Sequence, residues 1–319
     1  MKISLRRVIS TAALASALTL VGCASNALST DRPAGAVLQA ANQRALDGSF
    51  QVDFTGHLQV DLSAVTPPAG VTAGEMSLLR AAINSAELTG VALVQSPKEV
   101  SLTLNLSPLI TQSWHVLDLN GSEYVSENGT QWHRVTAPSG SSEPNGGDLG
   151  QLNADFKSWG LELQKDATVS KLGTTTIAGQ QVEQLQTTVS GSDLNQAISG
   201  ILGQAVGALG SEAASVQPEL PAIEGLLQFS QVKADSYVLT SNGDLDRTVV
   251  TAVLNVDLSE LSTLDPGQSS LPSGTAPVIA SMTADFSNYG KNFDLRKPGD
   301  IVAGPLPTPS GLGGALGLT

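Results

Sequence analysis

The sequence predicts an α+β fold, predominantly antiparallel β. Two observations carry this: apolar and polar residues alternate strictly over several runs, and Asn-Gly dipeptides recur between such runs, the sequence mark of tight hairpins. Spacings of three and four, the mark of a helix with one apolar face, are confined to a few stretches.

The chain from Ala24 to about Pro33 is small and polar and reads as a tether. A short helix is predicted next, through Val37 to Leu46. From Phe50 to Leu62, Phe50, Val52, Phe54, Leu58, Val60 and Leu62 share one parity, against Gln51, Asp53, Thr55, His57, Gln59 and Asp61 on the other. That predicts a long half-buried strand, bent or bulged at Gly56. Pro67-Pro68 ends it, and a helical piece carrying Met76, Leu79 and Ile83 leads to a strand near Leu88 to Val94. Val100, Leu102, Leu104 and Leu106 alternate with Ser101, Thr103 and Asn105 in a further strand. Trp114 to Leu119, Glu123 to Ser126 and Gln131 to Val135 follow as short strands, parted by Asn120-Gly121 and Asn128-Gly129.

A Ser/Gly/Pro-rich loop from Pro138 to Gly150 interrupts the order, and Val169 to Leu172 and Gln181 to Val189 then flank a turn at Ala178-Gly179. Leu194, Ile198, Ile201, Leu202, Ala205, Val206 and Leu209 form an apolar helical stripe. Glycines 200, 203, 207 and 210 weaken that helix by roughly 1 kcal/mol each relative to Ala, so it needs packing to persist. Strands resume from Gln228 to Leu239, turn at Asn242-Gly243 and run from Leu245 to Leu258; a last one covers Val278 to Phe286.

The first residues carry Lys2, Arg6 and Arg7, and an apolar stretch from Val8 to Val21 is too short to span a bilayer comfortably. This order is that of a signal peptide. Leu20-Val21-Gly22-Cys23 matches the lipobox of bacterial lipoproteins, where cleavage precedes a cysteine acylated on its sulfur. Cys23 is the only cysteine, so no intramolecular disulfide can form and the thiol is left for lipid attachment. Each buried acyl methylene is worth about 0.8 kcal/mol, so two or three chains anchor a protein stably. The expected location is the cell membrane, on its periplasmic or outer side. The domain plan is a signal peptide over 1–22, a lipidated tether over 23–34, one folded domain over 35–303 and a flexible tail over 304–319.

The net charge is −13, and the leader holds three positive residues and no acid, so the mature chain is more acidic still. Such a surface repels nucleic acid and anionic lipid. With aromatics at 4% and charged residues at 14%, the interior must come mainly from Val, Leu, Ile and Ala.

Catalytic patterns are missing. His57, His115 and His133 all fall inside predicted strands with no cluster of acids or thiols at ligand spacing beside them. Asp244 and Asp246 beside Arg247 follow Asn242-Gly243 directly and read as the solvated end of a hairpin. Asn120-Gly121-Ser122 and Asn128-Gly129-Thr130 fit the glycosylation acceptor pattern and read as turns. No enzyme activity, cofactor or metal is expected.

Several stretches carry a family resemblance: Gly48-Ser49-Phe50-Gln51-Val52-Asp53-Phe54 after the lipobox and helix, Asn120 to Val125 with Gly129-Thr130-Gln131-Trp132, Lys171-Leu172-Gly173-Thr174 through Ile177 to Val182, Asn242 to Arg247, and Asp285 to Gly290. In this order they resemble the LppX/LprG-type lipoproteins, relatives of the lipoprotein carriers with the LolA-like fold. This chain is longer, with added material near Ala64 to Ser85, Pro138 to Gly150 and Gly200 to Leu226.

The resemblance implies a strongly curved half-barrel sheet wrapped around a few helices, with an apolar cavity for a lipid or acylated glycolipid carried through the envelope. It also brings the membrane, and an export transporter, as partners. Cavity candidates are Phe50, Val52, Phe54, Val100, Leu102, Leu104, Ile198, Ile201, Leu202, Val206 and Leu209; whether they line a hollow or fill a core stays open in the sequence. A different function, an envelope sensor binding a protein through its curved sheet, is suggested by the acidic surface and the Pro138 to Gly150 loop.

Overall fold

The computed structural model describes residues 33–107, 113–134, 167–196, 199, 220–260 and 272–302. Its strands form one large, curved, unclosed sheet of twelve, almost entirely antiparallel. In chain order these are β1 (Phe50–Val60), β2 (Glu87–Ser96), β3 (Glu99–Ser107), β4 (Ser113–Leu119), β5 (Ser122–Glu127), β6 (Gln131–Arg134), β7 (Thr168–Ile177), β8 (Gln180–Ser190), β9 (Leu227–Leu239), β10 (Leu245–Asp257), β11 (Thr275–Ser287) and β12 (Ile301–Val302). Helices α1 (Ala34–Asp47), α2 (Ala73–Asn84) and α3 (Leu220–Leu226) accompany them, and residues 191–196 are helical.

The spatial order, β12-β6-β5-β4-β3-β2-β1-β11-β10-β9-β8-β7, is that of two antiparallel meanders. One runs outward from β1 to β6 and the other back from β11 to β7, and the β1–β11 ladder joins them in the middle. Among the described residues only β12 pairs in parallel, laying Ile301 and Val302 against Trp132 and His133 of β6.

The hairpin turns form as their residues dictate. Asn120 and Gly121 have φ of 54° and 81°, and Asn128 and Gly129 have 62° and 70°. Positive φ at both central positions matches the right-handed twist of the flanking strands, and Asn and Gly bear it at least cost.

Alternation sorts the side chains by face. Phe50, Val52 and Phe54 of β1 share the inner face, the one packed under α1, with Phe286 and Ala284 of β11 and Leu104 of β3. The outer face carries ion pairs and hydrogen bonds beside exposed Val253 and Ile279. Across neighbouring strands Arg247 pairs with Asp285 (2.5 Å) and Gln186 donates to Asp235 (2.9 Å), and along β9 Lys233 pairs with Asp235 (3.2 Å).

The expected bulge at Gly56 does not occur. Both ladders run unbroken through it, to Met282 on one side and Leu88 on the other. A Cβ there would meet Leu88 and the Ser281 carbonyl at an ordinary 3.6 Å, so nothing local demands irregularity. The register shifts fall instead at Val94/Ser96, Lys171/Gly173, Leu245/Arg247 and Val253/Leu254.

Glycine is required at position 90. A Cβ on Gly90 would come within 2.2 Å of the Phe54 ring and 2.4 Å of the Thr103 carbonyl, because Phe54 lies across β2 where that side chain would stand. An aromatic ring covering a cross-strand glycine restores the burial that the bare backbone lacks.

After β11 the chain follows one end of the first meander. Ser49 Oγ donates to the Lys291 carbonyl (2.6 Å), the Phe293 amide to Gln95 Oε1 (2.7 Å), and the Trp132 amide to the Asp300 carbonyl (3.2 Å), which delivers the chain to β12 beside β6.

Candidate functional site: the inner face of the sheet

Two separate apolar clusters occupy the middle strands of the inner face. Under α1, Val37, Ala41 and Ala45 pack with Phe50, Phe54, Leu104, Trp114, Val116, Val125, Leu185, Val238, Leu245, Ala284 and Phe286. Small side chains at 41 and 45 let the helix lie close to the strands. Arg44, in its last turn, donates to the Asn242 carbonyl in the β9–β10 turn, and Tyr289 Oη donates to the Leu245 carbonyl (2.7 Å) beside it. Toward the other end of β1, Val60, Val65, Leu254, Ala276 and Val278 cluster, with Met76 and Ile83 of α2 packed on them. A third group, Val189, Leu194, Val232 and Val250, lies on the second meander.

Between the first two clusters runs a lane of apolar residues that belongs to neither. Leu58 of β1 faces Ala280 of β11, which faces Ala252 of β10, and one step along the strands Gly56 faces Met282. Leu58 is 37% exposed, and Ala280, Ala252 and Met282 are half-buried. Gly56, Ala252 and Ala280 carry little or no side chain beside the longer Leu58 and Met282, and Ala252 also packs on the third cluster. Apolar area left accessible on a covered face is a surface that an alkyl chain can bury.

The predicted lining residues divide accordingly. Phe50, Phe54 and Leu104 are buried in the cluster under α1, Val52 and Leu102 are half-buried against it, and Val100 is half-buried on β3. Ile198, Ile201, Leu202, Val206 and Leu209 lie outside the described residues, as do Cys23 and the Pro138 to Gly150 loop. Sequence reading missed the Ala252, Ala280 and Met282 lane because alanine carries little hydrophobic signal and no sequence pattern reveals which strands will be neighbours. Leu58 had the right parity, and its signal was the alternation itself.

The titratable groups near this face are few. Burial pushes the Asp244 and Asp246 carboxyls up; Arg44 opposes this at Asp244, and Arg247 opposes it at Asp246 while Asp285 adds to it. Burial also raises the Tyr289 phenol, which stays a hydrogen-bond donor at ordinary pH. His115 accepts or donates through Nδ1 to Thr103 Oγ1 (3.1 Å) on the outer face, and burial lowers its pKa. His57 stands 3.8 Å from Glu87 near the middle of the sheet, and His133 is on β6, so the three histidines do not converge. Among the described residues no group of His, Cys, Asp and Glu could hold a metal, and no helix is long and apolar enough to cross a membrane. What this face offers is apolar adsorption.

No family model matches the sequence, and no curated protein matches it. Solved structures do show similarity. The lipoprotein LppX of Mycobacterium tuberculosis is similar over 81% of this chain and 97% of its own, at 11% identity and a TM-score of 0.36. LprF from Mycobacterium bovis is similar over 82% of this chain and 95% of its own (13% identity, TM-score 0.36), and a DUF1329 family protein from Desulfovibrio piger over 81% and 91% (9% identity, TM-score 0.23).

Proposed function

We propose that this chain is a membrane-anchored bacterial lipoprotein that binds a lipid or acylated glycolipid on its inner face and carries it through the cell envelope. The anchor is the acylated Cys23, and a transporter that loads or unloads the cargo completes the scheme. The observation that supports this reading is the Leu58, Ala280, Ala252 lane: apolar side chains, part-exposed, on the covered side of a sheet that does not close. An alkyl chain lying there gains about 25 cal/mol for each Å² of apolar area removed from water, while a polar head stays at an open end of the sheet. No catalytic step belongs to the proposal.

Native mass spectrometry of the chain made without its anchor, followed by titration with a fluorescent acyl probe, tests it. Co-purified lipid and saturable uptake are expected, and Leu58→Asp should weaken uptake at least tenfold by setting a charge in the lane. A preparation that carries no lipid and takes up no probe overturns the reading.

A further inference from the structure

We infer that α2 is a membrane-docking element: it rests its free apolar side on the bilayer surface and holds one end of the inner face against the lipid from which cargo is drawn. The inference rests on the carrier reading above. Its first ground is that α2 is well made yet buries none of its residues. Thr72 Oγ1 accepts from the Glu75 amide (3.2 Å) while Glu75 Oε2 accepts from the Thr72 amide (2.7 Å), a reciprocal cap that fixes the first turn. At the other end Asn84 accepts from the Val60 amide (2.6 Å) and donates to the Val60 carbonyl (3.3 Å), pinning the helix to the end of β1. A helix tied down at both ends nevertheless leaves Leu78 at 72% exposure and Val71, just before the cap, at 36%.

The second ground is position. Met76 and Ile83 pack on Val60, Leu254 and Val278, and two residues before Val60 on β1 stands Leu58, the exposed member of the lane. An apolar path thus connects the outward side of α2 with the proposed cargo surface. The third ground is charge. From Leu62 to Ala86 the only charged residues are Glu75 and Arg80, with Asp61 and Glu87 at the borders and Arg80 paired to Asp61 (3.6 Å). The exposed side of α2 is thus poor in charge, so little desolvation cost opposes laying it on an uncharged lipid surface. The fourth is reach. The chain from Cys23 to Pro33, about eleven residues, extends at most about 40 Å, so an anchored protein never leaves the neighbourhood of the bilayer and a weak apolar contact is occupied at high effective concentration.

The test uses the full acylated protein reconstituted in vesicles of neutral phosphatidylcholine. Cys23 is consumed by its lipid, so Leu78→Cys supplies the one free thiol for an environment-sensitive nitrobenzoxadiazole dye, with Leu172→Cys on edge strand β7 as an equally tethered control. We expect the dye at 78 to brighten at least twofold and to be quenched by spin-labelled lipid, and the dye at 172 to stay aqueous. Equal aqueous signals at both sites overturn the docking inference, and so does a signal at 78 that brightens with protein concentration when no vesicle is present, since the occupant is then a second copy. Leu78→Asp should slow transfer of an acyl probe from vesicle to protein severalfold while leaving its equilibrium binding in detergent unchanged; an unchanged transfer rate overturns the link to cargo. Co-purified lipid with an aqueous dye at 78 removes docking and spares the carrier reading, whereas a membrane-inserted dye on a protein that never binds lipid does the reverse.

Discussion

A single added methyl is the sharpest probe at the residue scale. In Gly90→Ala the new Cβ falls inside contact distance of both the Phe54 ring and the Thr103 carbonyl, and a carbonyl in a sheet ladder cannot step aside. The expected loss is about 1–3 kcal/mol, seen as a lower denaturant midpoint with an unchanged slope. Asp246 gives a pH-dependent counterpart. Burial raises its folded pKa above the unfolded value, so the folded protein binds the proton more tightly and stability falls as pH rises through that window. Asp246→Asn should therefore raise Tm at pH 7, where the wild-type carboxylate is charged, and the gain should shrink as the pH drops toward 4. A gain that persists undiminished in acid would mean that charge burial is not its source.

Among the elements, the attachment of α2 to β1 turns on one side chain. Asn84→Ala leaves the Val60 amide without its acceptor, since β2 begins at Glu87 and pairs with β1 only up to His57. A loss of about 1–2 kcal/mol is expected, with faster hydrogen exchange at Val60 and across α2. Strands and turns were highly legible in sequence because their signals are local: alternation marks a strand with one apolar face, and Asn-Gly marks a hairpin wherever the chain continues. The helix over Ala34–Asp47 emerged within a few residues of its predicted span for the same reason. Local pattern gave no hint of β12, whose two residues pair with β6 only because the chain from Asn288 onward is led there by contacts to Ser49 and Gln95. Gly56 misled because a glycine in a strand has several uses, and only the neighbouring strands decide among them. The apolar lane stayed hidden because it is made by register across β1, β11 and β10, a long-range property that no window of sequence holds.

For the molecule as a whole, an open sheet with part-exposed apolar residues on its covered side should be more stable when that area is occupied. Delipidation by a mild organic extraction is expected to lower Tm, and re-addition of lipid at a hundredfold excess over Kd to restore about 2.7 kcal/mol. An unchanged melting curve would show that nothing of consequence had been removed. The acidic surface should keep the protein away from anionic headgroups in general, leaving contact with the bilayer to the proposed anchor and to α2.

The ladder at the centre of the sheet also governs how the protein comes into being. Residue 51 pairs with residue 287, so the first strand to leave the ribosome finds its inner neighbour only when nearly the last strand has been made. Until then Phe50, Val52 and Phe54 lie on an unfinished edge, and must be kept from sticking elsewhere while the remainder arrives. Maturation of this protein is thus a race between completion of the polypeptide and misassociation of its earliest segment.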